Sequence, residues 1–410
     1  MTQTLRVAVR KFEPFERALE DQFAGFRAET GTDAAIEIVS LDLNPLTQTL
    51  FAEGGLKDGT WDIAFIVTDW LADAIADGVL TDLTPYMEAS PVDDYPDGWV
   101  PVLTRSQQVG DAIYGLPYHD GPECLIYRTD WFADPGEQEA FRARFGYPLA
   151  VPTTWTQFED VARHFTRPAE GHFGTLFAAY PDGHNSVYDF CLQLWSRGGD
   201  LTDASGAVRL DTEAAIRGLD FYRRMVRDRS LTPPDLEHVD SVKSGEIFAS
   251  GSIAMMVNWF GFAAVCEQPG CAVKGNVAIA PIPSEPGFPS ASLIVYWLLA
   301  IGSGSKCKDL AYEFMRYCAS AAGDKMTTLA GGIGCRKSTW IDADVNGQIP
   351  FYYRLAELHE GTRELPRSRS LPALSHIIDQ AVQEAIGTDE PSVAILRRAQ
   401  QAASDLRLED

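Results

Sequence analysis

Trp61-Asp-Ile-Ala-Phe-Ile-Val67 ends in five consecutive apolar residues and is followed at once by Thr68-Asp69-Trp70. A strand without polar alternation must be covered on both faces, which is the situation of a central strand in a sheet flanked by helices. Working backwards, Ala35 to Ser40 reads as a second strand and Leu5 to Val9 as a first, with an amphipathic helix from Phe15 to Glu29 ending at Gly31. A further helix is predicted around Asn44 to Ala52. Strand, helix, strand, helix, strand is the order of a parallel α/β sheet. Such sheets bind ligands beyond the carboxyl ends of their strands. Arg10 to Glu13 and Thr68 to Trp70 are therefore the first candidate positions.

Further along, Ala112 to Pro117 and Cys124 to Tyr127 have strand character, and Pro152-Thr-Thr-Trp-Thr-Gln157 opens a helix. Thr154 and Gln157 have the spacing of a capping box, in which each side chain satisfies an orphan amide of the first turn. Helical periodicity recurs at 187–197, 212–228 and 239–249, and strand patterns at 253–257, 276–280 and 293–301. From Lys308 onward the pattern is mostly helical, and no repeat, heptad or low-complexity tract is present.

The length of 410 residues predicts two or three domains. With 45% hydrophobic and 22% charged residues, the chain has the composition of a globular protein with packed cores. Its 58 acidic and 34 basic side chains give a net charge of −24, a field that repels phosphates and anionic lipid and argues against nucleic-acid or membrane-surface partners. The longest apolar stretch, Leu293 to Ile301, is far short of the ~20 residues that cross a bilayer. The start, Met1-Thr-Gln-Thr-Leu-Arg-Val-Ala-Val-Arg10, runs straight into a strand pattern without a signal core. That leaves a cytoplasmic protein or a mature chain with an added Met. Seven cysteines cannot all pair, so a disulfide-built scaffold is not expected. Cys266 and Cys271 bracket a turn and either close a very short loop or stay as thiols.

Catalytic and metal-binding motifs are incomplete or missing in this sequence. Gly331-Gly-Ile-Gly-Cys-Arg-Lys-Ser338 approaches a phosphate loop, but Arg336 stands where the second glycine must let the backbone wrap a phosphate, and the stretch follows a helix instead of a strand. There is no His-Glu-x-x-His, no pair of Cys-x-x-Cys and no calcium loop. His119, Asp120, Glu123 and Cys124 are close in sequence, yet alternation along a strand would send neighbours to opposite faces. No nucleophile elbow is present. The sequence gives no reason to expect a metal, a cofactor or a catalytic residue.

What the sequence does offer is a set of aromatic and hydrogen-bonding residues beside strand ends: Phe12, Asp69-Trp70, Tyr118-His119-Asp120, Asn258-Trp259-Phe260 and Tyr296-Trp297. Aromatic rings stack on the apolar faces of sugars, and Asp, Asn, His and Arg chelate hydroxyls, so the mixture suits a neutral polyol. Core packing is the competing role for each ring.

An ordered series of segments resembles the extracellular solute-binding proteins of ABC-type sugar importers, the group that includes maltose-binding proteins. It comprises Trp61 to Trp70, Asp77-Gly-Val-Leu-Thr-Asp-Leu-Thr-Pro85, Ile113-Tyr-Gly-Leu-Pro117, Leu125-Ile-Tyr-Arg-Thr-Asp130, Pro152-Thr-Thr-Trp155, Phe248-Ala-Ser-Gly-Ser-Ile-Ala-Met-Met256 and Leu299-Ala-Ile301. Gly331 to Ser338 is similar to the family's Gly-rich loop, with Cys335 where a Pro usually precedes the Arg. The resemblance implies two α/β lobes of the type II periplasmic-binding-protein fold, with a ligand cleft between them that closes on binding. It implies an N-terminal lobe of residues 1–112 plus 279–318 and a C-terminal lobe of 113–278 plus 319–410. It also implies a monomer outside the cytoplasmic membrane, its signal peptide removed, that serves a membrane-embedded permease and needs no cofactor.

Carried over by position, the resemblance implies ligand contacts from Lys11, Phe12 and Glu13 after the first strand and from Asp69 and Trp70 after the third. Tyr118, His119 and Asp120 follow the first lobe crossing, and His184, Asn185 and Tyr188 enter a helix. Asn258, Trp259, Tyr296, Trp297 and Arg336 complete the expected set, while Trp61 and Trp155 match lobe-packing positions. Asp69 has a competing role as a helix cap. The expected ligand is a sugar, polyol or small oligosaccharide. One alternative is an acidic or sulfonated sugar, neutralised by Lys11 and Arg336. The other is an enzyme using Cys124 or Cys335 with His119, which would need a thiol of lowered pKa.

Overall fold

The computed structural model describes residues 3–233 and 239–408; Met1 and Thr2 of the expected N-terminal stretch lie outside the described residues. The chain forms two compact units. Unit 1 is Met1–Gly121 with Val295–Ala356, and unit 2 is Pro122–Ile294 with Glu357–Asp410. In chain order, unit 1 opens with β1 (Thr4–Arg10), α1 (Glu13–Thr30), β2 (Ala35–Leu41), β3 (Ile63–Val67) and β4 (Leu116–His119). Unit 2 then supplies β5 (Glu123–Arg128), α2 (Trp155–Phe165), α3 (Asn185–Trp195), α4 (Glu213–Arg227), α5 (Ser241–Ala249), β6 (Met255–Trp259) and β7 (Val277–Ala280). The chain returns to unit 1 for β8 (Trp297–Ile301), α6 (Lys308–Cys318) and α7 (Ala321–Leu329). In unit 2 it ends with α8 (Leu371–Gly387) and α9 (Ser392–Ala402).

The sheet of unit 1 has the order β2-β1-β3-β8-β4. β1 lies parallel to β2 and β3, as the strand-helix alternation predicts, but β8 runs antiparallel to both β3 and β4. The sheet is therefore mixed, not parallel. β3 is buried along its whole length, as its unbroken apolar run requires. α1 buries Phe15, Ala18, Leu19, Phe23 and Phe26, a stripe at helical spacing, with Phe15 against Phe65 of β3 and Phe23 and Phe26 against Phe314. Gly31 ends that helix at φ 70°, a left-handed conformation that glycine adopts without cost, and its N–H closes on Arg27 O. One polar group shares the stripe. Gln22 is fully buried, donates to Gly323 O and Thr327 Oγ1 at 2.8 and 2.9 Å, and accepts from the Tyr118 hydroxyl at 2.9 Å. Fully paired, it ties α1 to α7 without a desolvation penalty.

Unit 2 is built on a three-stranded antiparallel sheet, β6-β5-β7, with the helices α2 to α5 around it. The capping box at the start of α2 is present, with Thr154 and Gln157 bonding reciprocally. The expected strand 293–301 is divided. Ser292–Leu293 pairs with Thr362–Arg363 in unit 2, and the longer β8 belongs to unit 1.

The units exchange chain at Gly121/Pro122, Ile294/Val295 and Ala356/Glu357, not at the expected 112/113, 278/279 and 318/319. Strand pairing decides the difference. β4 pairs with β8, β7 pairs with β5, and α7 is bonded to α1 through Gln22. Cys266 and Cys271 are thiols in this structure.

Candidate functional site

Because β1 and β3 are parallel and β8 antiparallel, the carboxyl ends of β1 and β3 and the start of β8 share one edge of the unit 1 sheet. The register fixes this, with Trp297 opposite Val67 on one side and His119 on the other. Phe12, Trp70, His119 and Trp297 are each half-buried there, and Asp69 lies in the short turn Thr68–Trp70 after β3. The Trp70 and Trp297 rings meet edge to face at 5.7 Å, and Phe51 meets Trp70 in the same way at 5.9 Å. Phe65 backs Trp297 at 6.1 Å. Rings held at right angles do not stack on one another, and their aromatic neighbours fix their orientation. On the other flank, the His119 ring rests edge-on against Phe15 at 4.7 Å, with Phe12 at 6.4 Å. Phe51 was not expected. Its signal was an aromatic on the predicted helix 44–52, whose tertiary neighbour the sequence does not reveal.

The Gly331 to Arg336 loop braces this edge. Ile333 donates its N–H to His119 Nδ1 at 2.9 Å, and Ile333 O accepts from Asp120 N at 3.0 Å. Asp324, missed in the sequence, organises the loop. Its buried carboxylate accepts from the N–H groups of Cys335 and Arg336 and from the Thr339 hydroxyl. Glycine is needed at 334 because a Cβ there would lie 2.5 Å from the Asp324 carboxylate.

Several expected ligand contacts have other work. Tyr118 is buried with its hydroxyl on Gln22, and Tyr296 is buried with its hydroxyl donating to Gln107 Oε1 at 2.9 Å. Arg336 is only 1% exposed. It donates to Asp93 O, Ala319 O and Asp94 Oδ2, each at 3.0 Å, and lies 4.4 Å from the centroid of the Trp99 ring. These three are structural, because a buried polar side chain that is already hydrogen-bonded has little left to give a solute. Asp120 is buried as well. Lys11 and Glu13 are exposed; Lys11 pairs with Asp42 at 3.7 Å and Glu13 with Arg17 at 3.0 Å.

In unit 2 the expected residues form a second group. Trp259 ends β6, and its half-exposed ring meets buried Tyr188 edge to face at 5.8 Å; Tyr188 in turn meets His184 at 5.7 Å. Asn258 is buried and donates to Ser241 O and Ser244 Oγ at 3.0 and 2.9 Å, fastening β6 to α5. Asn185 donates to Asp182 and accepts from Ser241 N at 3.0 Å, fastening the start of α3 to the start of α5. Asn258 is structural for the same reason as Arg336, while half-buried Asn185 has its amide engaged by Asp182 and Ser241. Glu123 stands opposite Trp259 in the ladder and is buried, as is Asp189, which accepts from Tyr222 at 2.8 Å. Burial pushes the Asp189 carboxyl up to about 7, and burial with the nearby Asp189 charge holds Glu123 well above the usual carboxylate range. The thiol of Cys335, named for the enzymatic alternative, is also pushed well up by burial. A nucleophile needs the opposite shift.

A family model described as bacterial extracellular solute-binding protein matches residues 10–325. A probable ABC transporter-binding protein of Deinococcus radiodurans is 24% identical over 264 residues, covering 63% of this chain and 60% of that protein, so the chain spans less than two thirds of that relative's length. The mannitol-binding protein of Pseudomonas aeruginosa is 26% identical over 330 residues, 77% of this chain and 70% of that protein. Among solved structures, an ABC transporter solute-binding protein from Agrobacterium radiobacter in complex with ribitol superposes with a TM-score of 0.85 at 24% identity, covering 98% of each chain. That likeness shows the fold, the two-lobed α/β arrangement of solute-binding proteins.

Proposed function

Because this chain belongs to the bacterial extracellular solute-binding protein family, we propose that it is the capture component of an ABC-type importer for a small neutral sugar or polyol. The observation that carries this reading is the edge of the unit 1 sheet, where Trp70 and Trp297 stand at right angles beside Asp69 and His119. Aromatic faces take the C–H surface of a polyol, and a carboxylate with an imidazole takes its hydroxyls. Trp259 and Tyr188 of unit 2 supply a second aromatic surface in this proposal. The mannitol-binding relative and the ribitol complex of similar fold are in keeping with a linear polyol of five or six carbons.

The protein works without catalysis in this reading, since Cys124 and Cys335, the two thiols named for an enzyme, are both buried and burial raises the pKa of Cys335. We place it outside the cytoplasmic membrane as a monomer that delivers solute to a membrane-embedded permease. Its net charge of −24 is unsuited to nucleic acid. A thermal-shift screen against pentitols, hexitols, aldoses, ketoses and small oligosaccharides tests the proposal. A ligand at a hundred times its Kd is expected to stabilise the folded chain by ~2.7 kcal/mol. Small-angle scattering is expected to show contraction with that ligand. No hit across the panel, with no contraction, overturns the reading.

A further inference from the structure

His119 ends β4 and faces Trp297 across the ladder. Its Nδ1 lies 2.9 Å from the backbone nitrogen of Ile333. A backbone N–H can only donate, so Nδ1 must accept and carry no proton. The one proton of a neutral imidazole is thereby fixed on Nε2. A second proton, on Nδ1, would face the Ile333 N–H, break that bond and leave a donor opposed to a donor.

The surroundings act in the same direction. The rings packed on His119 are those of Phe12 and Phe15, which carry no charge. The loop partner is a backbone amide, and the facing strand residue is Trp297. Asp120 is the charged neighbour, and it favours protonation. Burial outweighs it and lowers the His119 pKa to about 4. Among the described residues no protein group accepts a hydrogen bond from Nε2, so this donor remains for a solute.

Of the two cations that could have drawn an anionic sugar, Arg336 is enclosed and Lys11 is an exposed surface side chain. Lys11 pairs with Asp42, which also accepts from Arg10, and Arg336 is enclosed by Asp94 and two carbonyls. The edge carries the neutral imidazole.

We propose that His119 is a specificity-determining residue, locked as the Nε2–H tautomer, which donates to a ligand hydroxyl oxygen and, carrying no charge, makes the site prefer uncharged polyols to sugar acids. This rests on the polyol-binding reading above.

The tautomer is testable without ligand. Long-range proton–nitrogen correlation spectra of protein labelled with 15N-histidine are expected to show one ring in the Nε2–H form, unchanged from pH 5 to pH 8. The signals missing in His119→Gln assign it among the seven histidines. An imidazolium, or an Nδ1–H ring, overturns the proposal. Binding is read by calorimetry with ribitol, D-mannitol and D-mannonate. His119→Gln, whose amide nitrogen falls near the Nε2 position, is expected to bind the polyol within threefold of the parent. His119→Phe, which keeps the ring and loses the donor, is expected to bind at least tenfold more weakly, and D-mannonate at least tenfold more weakly than D-mannitol. Should His119→Phe fail to fold, the spectra and the comparison of D-mannonate with D-mannitol on the parent still decide. If the parent binds a polyol but binds mannonate as tightly, or if His119→Phe binds like the parent, this inference fails alone. If the parent binds no polyol, the functional reading fails and takes this one with it.

Discussion

The strand edge of unit 1 and the end of β6 in unit 2 carry similar residue types, yet the structure uses them differently. In unit 1 an aromatic pair, Trp70 and Trp297, stands beside a histidine whose second ring nitrogen has no acceptor among the described residues. In unit 2 the aromatic pair Tyr188 and Trp259 has comparable geometry, but the asparagines beside it are spent on fastening α3 and β6 to α5. A strand-end position offers a polar residue to solvent only when no neighbouring element claims its hydrogen bonds. The difference also follows sheet type. The mixed sheet of unit 1 collects the ends of several strands along one edge, whereas the antiparallel sheet of unit 2 brings the end of β6 beside the start of β5.

The comparison can be broken most readily at the residues assigned to structure. Arg336→Ala removes a buried guanidinium and leaves Asp94 and two carbonyls without their donor. A loss of about 2–3 kcal/mol in urea unfolding is expected, from two carbonyls left without their donor and lost packing on Trp99, while exposed Asp94 is taken up by water. Affinity of the folded fraction should change less than threefold; a collapse in affinity at unchanged stability would return Arg336 to the ligand site. Asn258→Ala is expected to cost about 1–3 kcal/mol of stability, because Ser244 and a backbone carbonyl lose their donor in a buried setting. Its affinity should barely move.

The aromatic pairs should respond in the opposite sense. Trp297→Ala and Trp259→Ala are each expected to weaken polyol binding tenfold or more, about 1.4 kcal/mol. If calorimetry shows a loss for Trp297→Ala alone, the aromatic wall belongs to unit 1 only. Asp69→Asn sharpens the unit 1 side further. A tenfold loss of affinity at nearly unchanged melting temperature marks a carboxylate that accepts from ligand hydroxyls, and unchanged affinity marks a turn residue.

The smallest effect concerns Asp189. Its raised pKa means that the folded chain holds a proton the unfolded chain has already released, so this group's contribution to stability is present at low pH and lost as pH rises through about 7. Between pH 7 and pH 8 the decline should amount to about half a kcal/mol or less. Asp189→Asn, which can still accept from Tyr222, should remove it; an unchanged pH slope in that variant would assign the titration to another group, Glu123 first.

Much of this was legible in the residues. The apolar run 63–67, the stripe of α1, its stop at Gly31 and the Thr154–Gln157 capping box are local patterns, and each appears where periodicity and capping chemistry put it. The aromatics beside strand ends were legible for the same reason, since a strand's end fixes where its next residues emerge. The direction of β8 was not legible, because an apolar strand reads alike in either orientation and its pairing with β3 spans more than 200 positions. Nor were the fates of Tyr118, Asn258, Arg336 and Tyr296. Each is settled by a partner in another element: Gln22 on α1, Ser244 on α5, Asp94 in a loop 242 positions away, and Gln107. Sequence alone determined the elements and which residues lie at their ends, since those depend on interactions within a few residues. Tertiary structure decided which of those residues remain free to meet a solute, since a hydrogen bond is claimed by whichever group the fold brings within 3 Å.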